Sequence, residues 1–281
     1  MCAASRRIVT SRSNSRLSAA LIDSLPAYSE VTLVAPTYLA GEGIAHKSGT
    51  TGGLHRTTLV QLAAELARPA MAAQGLGPLS ALGVEAIAAG VIHAERHSRP
   101  FVYFEAVAAM PGFARALART LGELRLARVA PSSLERTGAP GEDLARLLIR
   151  YESELENRSL ADLSRVFQLA GEAASHRWLG LPMLFLDAPL DSFAHREFFR
   201  TIAEQAPVVL AAVTSGAKDM EEILGVSAED LDQGAPESSL EHLRQYLFAV
   251  SPPRYGGKIA RSIFFLLPAR LWKRSRLPGE F

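Results

Sequence analysis

The sequence predicts an α/β fold, a doubly wound parallel sheet interrupted by a large all-helical insertion, and three observations carry that expectation. Two short apolar runs near the N-terminus, Arg7-Ile8-Val9-Thr10 and Val31-Thr32-Leu33-Val34-Ala35, flank a helical pattern. Two more, Pro182-Met183-Leu184-Phe185-Leu186-Asp187 and Val208-Val209-Leu210-Ala211-Ala212-Val213-Thr214, lie far downstream and again flank a helical pattern. Between the two pairs, from about Ala70 to Arg177, the chain is rich in Ala, Leu, Arg and Glu. Strands before and after a helical block indicate one interrupted sheet, and the rules for parallel crossovers make it doubly wound.

In chain order, Ile8 and Val9 belong to a first strand ending in the polar stretch Ser11 to Ser15. Leu17, Ala20, Leu21 and Leu25 then recur at helical spacing. The second run is closed by Pro36-Thr37, and a separation of about 24 residues suits a parallel crossover. Gly49 to Gly53 reads as a loop, followed by Leu54-His55-Arg56-Thr57-Thr58 and the periodic segment Leu59 to Ala67, with Thr57 or Thr58 able to start that helix. The block from Ala70 to Arg177 should be nearly all helix. Within Gly112 to Arg128, Leu117, Leu121 and Leu124 keep one face apolar while Arg115, Arg119 and Arg125 project elsewhere, the pattern of a solvated face beside a core stripe. Met183 to Leu186 is the kind of run found in a strand covered on both faces, and a helix from roughly Ala194 to Gln205 precedes the last strand. The expected divisions are therefore residues 1–69 and 178–250 for the α/β domain, 70–177 for the helical insertion and 251–281 for an irregular basic tail.

At 281 residues and 48% hydrophobic, the chain is long enough to bury a substantial core. No apolar run approaches the roughly 18 to 20 residues that cross a bilayer, so a soluble protein with no membrane role is expected. Nothing near Met1 resembles a secretory signal, and Cys2 is the single cysteine, which excludes a cysteine-built metal site and fits a reducing cytoplasm. The net charge of +1 is uneven: from Ser251 onward seven Lys/Arg face one acid, leaving 23 basic and 28 acidic groups before it. A generally basic nucleic-acid coat is not supported.

A nucleotide-binding loop after a first strand reads G-x-x-x-x-G-K-[ST], because glycines let backbone N–H groups wrap phosphates while Lys and a hydroxyl neutralise them with Mg²⁺. This chain places Thr10-Ser11-Arg12-Ser13-Asn14-Ser15-Arg16-Leu17 there. Thr10 and Ser15 replace the glycines, Arg16 the lysine and Leu17 the Mg²⁺-binding hydroxyl. Downstream, Asp187 ends a strand where a P-loop ATPase places its Mg²⁺-associated acid, but Ala188 stands where a helicase has its hydrolytic Glu. Ser15, Arg16 and Asp187 thus form a vestigial nucleotide site. No catalytic residue and no cofactor are expected, with ATP and Mg²⁺ entering only if this degenerate site retains binding.

Several segments together resemble the N-terminal region of bacterial PD-(D/E)XK nuclease family proteins, akin to the B subunit of the ATP-dependent helicase/deoxyribonuclease that processes double-strand breaks. They are Arg7-Ile8-Val9-Thr10 with Ser13-Asn14-Ser15-Arg16-Leu17, Gly53-Leu54-His55-Arg56-Thr57-Thr58-Leu59, Pro111-Gly112-Phe113-Ala114-Arg115-Ala116-Leu117, Thr120-Leu121-Gly122-Glu123-Leu124-Arg125 and Tyr151-Glu152. The resemblance reaches to about Val250. It implies a P-loop (RecA-like) domain carrying a helical insertion, with the nuclease far downstream. It also implies that Thr37, after Ala35-Pro36, and His55, Arg56 and Thr57 contact single-stranded DNA. A Thr hydroxyl can hold a phosphate, and His or Arg can stack on a base, although Thr57 is equally a helix cap and His55 and Arg56 ordinary loop residues. The implied partners are single-stranded DNA and a helicase-nuclease partner subunit.

The expected function is therefore a non-catalytic helicase-like module of a DNA double-strand-break repair helicase-nuclease. The alternatives are a divergent P-loop ATPase, with Arg16 standing in for Lys, and a protein-interaction domain without DNA binding. A metal site is not expected: His93 and His97 share i, i+4 spacing but lack the Glu of an H-E-x-x-H motif. A nucleophilic hydrolase is not supported either, since no G-x-S-x-G elbow occurs. The tail reads either as a basic amphipathic membrane or partner helix broken by Pro268 or as a frameshifted continuation, in which case the open reading frame is truncated.

Overall fold

The computed structural model describes residues 5–49, 52–173, 176–214 and 217–232; the expected tail and residues 233–250 before it lie outside them. The strands are β1 (Ser5–Thr10), β2 (Val31–Val34), β3 (Leu54–Thr57), β4 (Gly77–Pro78), β5 (Leu160–Ala161), β6 (Met183–Leu186), β7 (Val208–Val213) and β8 (Ala228–Asp230). The helices are α1 (Asn14–Ser24), α2 (Tyr38–Ser48), α3 (Leu59–Ala73), α4 (Ala81–Ser98), α5 (Phe113–Leu126), α6 (Pro131–Glu135), α7 (Ala139–Asn157), α8 (Leu163–Gly171), α9 (Phe193–Gln205) and α10 (Lys218–Leu224).

Among the described residues, six strands form one sheet in the order β3-β2-β6-β7-β1-β8, every pair parallel. Side chains alternate between its two faces with a period of two. Val9, Leu184, Leu186, Leu210 and Ala212 join Leu17 and Leu21 of α1 and Ile44 of α2 in one core. Ile8, Met183, Phe185, Val209 and Ala211 turn the other way and meet α3, α8, α9 and Met220 of α10. Crossovers moving toward β3 thus use one face and those moving toward β8 use the other, as a constant hand of crossover requires. All four residues of β6 are buried, which explains its unbroken apolar run. Burying a side chain such as Phe185, 0% exposed and edge-on to Phe199 at 4.8 Å, is worth about 1.5–3 kcal/mol.

The segment between β3 and β6 is mainly helical, as expected, with a two-residue parallel bridge, Gly77–Pro78 to Leu160–Ala161, tying its start to its end. Helices α4, α5 and α7 enclose a core of their own around Leu121, Leu148 and Tyr151. Helices α3 and α8 instead pack on the sheet. One expectation changes: Arg115 and Arg119 make exposed ion pairs, but Arg125 turns inward, its side chain 16% exposed, and grips Asp162 and Glu152.

The edge strand β3 depends on Gly53, at φ 75°, where an added Cβ would lie 2.0 Å from the Ser29 carbonyl oxygen. Only glycine adopts that conformation so close to neighbouring backbone. Its carbonyl accepts the Val31 N–H at 2.8 Å, which starts the β2–β3 ladder.

Among the described residues, no helix is long and apolar enough to cross a membrane.

Candidate functional site

Adjacent strands β1 and β7 send their connections in opposite directions, β1 over the face covered by α1 and β7 over the face covered by α10. In open α/β sheets, ligands bind in the crevice beyond the carboxyl ends of strands at such a switch point. The residues gathered there come from the loops after β1, β6, β7 and β8.

After β1 the chain runs through Ser11, Arg12 and the N-cap Ser13 into α1. Leu231 N–H donates to the Thr10 carbonyl at 2.8 Å, extending the β1–β8 pairing and setting Asp232 beside this loop. The Asp232 carboxylate is well satisfied: Oδ2 accepts from Arg12 N–H at 2.6 Å, while Oδ1 accepts from Ser11 Oγ at 2.6 Å and from Arg16 Nη1 at 3.1 Å. Ser11 Oγ also accepts from Ser13 N–H at 2.9 Å, and Arg16 Nη1 donates to the Leu231 carbonyl at 3.2 Å. Burial pushes the Asp232 carboxyl up, but its donors and the Arg16 charge together hold it below its ordinary value. Ser15, on the first turn of α1, spends its hydroxyl on Ser13 Oγ at 2.7 Å. Leu17 is 0% exposed in the core, so its position has no access to a ligand at the loop.

Asp187, just past β6, has φ 40°, in the left-handed region that side-chain-bearing residues rarely adopt. Both its carboxylate oxygens bind Thr214, the first residue after β7: Oδ1 accepts from Thr214 N–H at 2.6 Å and Oδ2 from Thr214 Oγ1 at 2.5 Å. Asn14 Oδ1 lies 3.4 Å from the same hydroxyl. Ala188 is buried. Through Thr214, which also approaches Asn14, Asp187 and the Ser15-Arg16 turn lie at the same carboxyl edge of the sheet, with Asp187 tied to Thr214 and Arg16 to Asp232.

The four expected DNA contacts do not converge on one point. Thr37 caps α2, its side chain accepting from Ala40 N–H at 3.2 Å. His55 pairs with Glu30 at 2.6 Å and its ring lies 5.9 Å from that of Trp178. Arg56, the next residue along the strand, lies on the α2 side, 5.6 Å from the Tyr38 ring centre and 3.9 Å from Glu42. Thr57 is buried, and the helix cap falls to Thr58, which forms a reciprocal capping box with Gln61. Tyr38 and Leu39 are exposed beside Thr37 and Arg56.

His93 and His97 sit on α4 with ring centres 4.2 Å apart, and His97 Nδ1 lies 2.8 Å from the His93 carbonyl oxygen. Among the described residues no three potential metal ligands cluster. A cavity of about 650 Å³ lies between the helical block and the sheet layer, lined by Arg125, Arg128, Glu152, Gln168, Glu197 and Thr201. Its two arginines pair with its acids, Arg125 with Glu152 and Arg128 with Glu197.

Sequence reading missed Asp232, Thr214, Tyr38 and the strands β3 and β8. Both strands are short edge strands with polar residues, a pattern whose hydrophobic period is too weak to stand out. The Thr at the end of the Val208 run was visible, but its pairing with Asp187 requires the β6–β7 register. No family model matches the chain, and no curated protein matches it.

Proposed function

We propose that this chain is a non-hydrolysing P-loop (RecA-like) module of the kind found at the N-terminus of bacterial DNA-break-repair helicase-nucleases, and that it positions single-stranded DNA at the carboxyl edge of its sheet. The observation that carries the non-hydrolysing part is the state of the crevice. Leu17 is sealed in the core where a Mg²⁺-binding hydroxyl is needed, and both oxygens of Asp187 are committed to Thr214. ATP chemistry depends on electrostatic stabilisation of phosphoryl oxygens by Mg²⁺ and basic groups, and neither a hydroxyl at position 17 nor a base at Ala188 is present.

The DNA part is supported by Thr37, Tyr38 and Arg56 grouped at the start of α2, where a half-exposed aromatic ring beside a guanidinium suits stacking against a base. His55 and Thr57 contribute less to this reading, one paired with Glu30 and the other buried.

The test pairs two measurements on the full chain. ATP turnover should stay at background with Mg²⁺, and a labelled single-stranded oligonucleotide should bind at low salt with an affinity that falls as salt rises. Arg56→Ala should weaken that binding about three- to tenfold, while His55→Ala leaves it within twofold. Absence of binding at low salt removes the DNA role, and Mg²⁺-dependent turnover abolished by Arg16→Ala restores the ATPase alternative.

One observation favours a second reading, partner docking by the helical block: Val102, Tyr103, Val107 and Met110 are exposed together between α4 and α5. Co-purification of a helicase subunit without DNA binding would decide for it.

A further inference from the structure

We infer that Asp232 is an internal occupant of the oxyanion seat in the β1–α1 loop, an autoinhibitory contact by which the segment after β8 keeps phosphate out. The inference rests on the reading of that loop as a former nucleotide loop and is independent of the DNA role.

Three donors of different kinds converge on one carboxylate: the Arg12 backbone N–H and the Ser11 hydroxyl, both at 2.6 Å, and the Arg16 guanidinium at 3.1 Å. A main-chain amide, a hydroxyl and a cation are the groups that bind a phosphate oxygen in a strand-to-helix loop. Here all three are satisfied within the chain. Two of the donors have contacts besides Asp232. Ser11 N–H is anchored to the Val213 carbonyl at 3.3 Å, Ser11 Oγ accepts from Ser13 N–H, and Arg16 is fixed by the Leu231 carbonyl. Asp232 is held in turn: its own N–H donates to Asp230 Oδ1 at 2.9 Å, and its side chain is 17% exposed.

The contact also gives this segment a reason to stay on the sheet. Strand β8 is only three residues long and, among the described residues, pairs with β1 alone. Its hold is reinforced by the Arg7–Glu229 ion pair at one end and the Asp232 contacts at the other. Sterically and electrostatically, a second anion cannot share the seat with the carboxylate. Loss of ATP chemistry in this chain is then occupation added to erosion, and the two are separable by one substitution.

The experiment uses inorganic phosphate and pyrophosphate as probes on the full chain, with thermal melting at matched ionic strength. The wild type should show no phosphate-specific change in Tm relative to chloride. Asp232→Ala should show a rise of about 3 °C at roughly 10 mM anion, as a binder of about millimolar affinity produces. The double variant Asp232→Ala with Arg16→Ala should lose that rise. An Asp232→Ala protein that melts cooperatively but ignores phosphate, or a wild type that responds equally, overturns the inference. If Asp232→Ala does not fold, the Arg12 amide resonance of the wild type supplies the readout. It should follow an acid-range titration below the ordinary Asp value, and an Arg12 amide that does not titrate overturns the contact. Oligonucleotide binding by the wild type is read separately, so failure of the DNA role leaves this outcome unaffected.

Discussion

Arg125 forks across Asp162, with Nε 2.6 Å from Oδ2 and Nη2 3.3 Å from Oδ1, and so ties α5 of the helical block to the N-cap of α8 in the sheet layer. Glu152 of α7 completes the cluster through Arg125 Nη1, and Asp162 also accepts from Arg165 N–H at 3.0 Å. The Asp162 side chain is only 5% exposed, so the pair must be judged as a buried one. Burial alone works against the Arg125 charge, but the two acids raise its affinity for the proton overall; burial pushes the Tyr151 hydroxyl up, and the Asp162 charge adds to that rise.

Removing one partner of a buried pair leaves an uncompensated charge. Arg125→Ala should therefore cost about 3–5 kcal/mol in urea denaturation, and Arg125→Lys should lose less, because it keeps the charge but not the fork. A loss below about 1 kcal/mol, the range of an exposed pair, would show that the cluster does not join the two layers.

Asp187 combines backbone strain with two short bonds to Thr214, and the two effects can be separated. Asp187→Ala removes the bonds and keeps a Cβ at positive φ, so it should destabilise by about 2–4 kcal/mol. Asp187→Gly removes the same bonds but relieves the strain, and should be about 1 kcal/mol more stable than the alanine variant. Equal stability of the two would mean that φ at this position is not strained in solution.

His195 lies on the first turn of α9, edge-on to Phe167 at 4.7 Å, and neither ring nitrogen has a hydrogen-bond partner among the described residues. Burial lowers its pKa, and Asp191 offsets only part of that. The unfolded chain takes up a proton near pH 6.5, while the folded imidazole is still neutral there. Stability should thus fall as pH drops below about 6.5 toward the lower folded-state value. His195→Phe should flatten that part of the profile, measured as unfolding free energy between pH 7.5 and 5; parallel profiles would assign the loss to other groups.

The helix following β3 starts at Thr58, not Thr57. Thr58 Oγ1 accepts from Gln61 N–H at 3.2 Å, and Gln61 Oε1 accepts from Thr58 N–H at 3.1 Å. Thr58→Ala should cost about 1 kcal/mol, read as a lower melting midpoint with oligonucleotide binding unchanged. A binding defect without a stability change would assign Thr58 to the interface instead.

Much of the sheet was legible in the primary structure because buried parallel strands declare themselves as apolar runs. Val31 to Val34, Met183 to Leu186 and Val208 to Val213 all stand where their composition placed them. Ser15-Arg16 stood out by position after the first strand and Asp187 by position at the end of a later one, and the fold sets both at the carboxyl edge of the sheet. The short polar strands β3 and β8 were not, since their residues carry no strong hydrophobic period to read.

By itself, then, the sequence determined the α/β class, the buried strands and the helical block, all properties set by local composition and spacing, and it singled out Ser15, Arg16 and Asp187 by their places beside strand ends. Only the tertiary structure decided what those residues do instead. Arg16 reaches Asp232 across 216 positions of chain, Asp187 holds Thr214 through the β6–β7 register, and Arg125 leaves the solvated face it shares with Arg115 and Arg119 to enter an ion-pair cluster. Each of these is a contact between charges or hydrogen-bonding groups distant in sequence, and such partners are fixed by strand order and helix packing, not by anything written beside them.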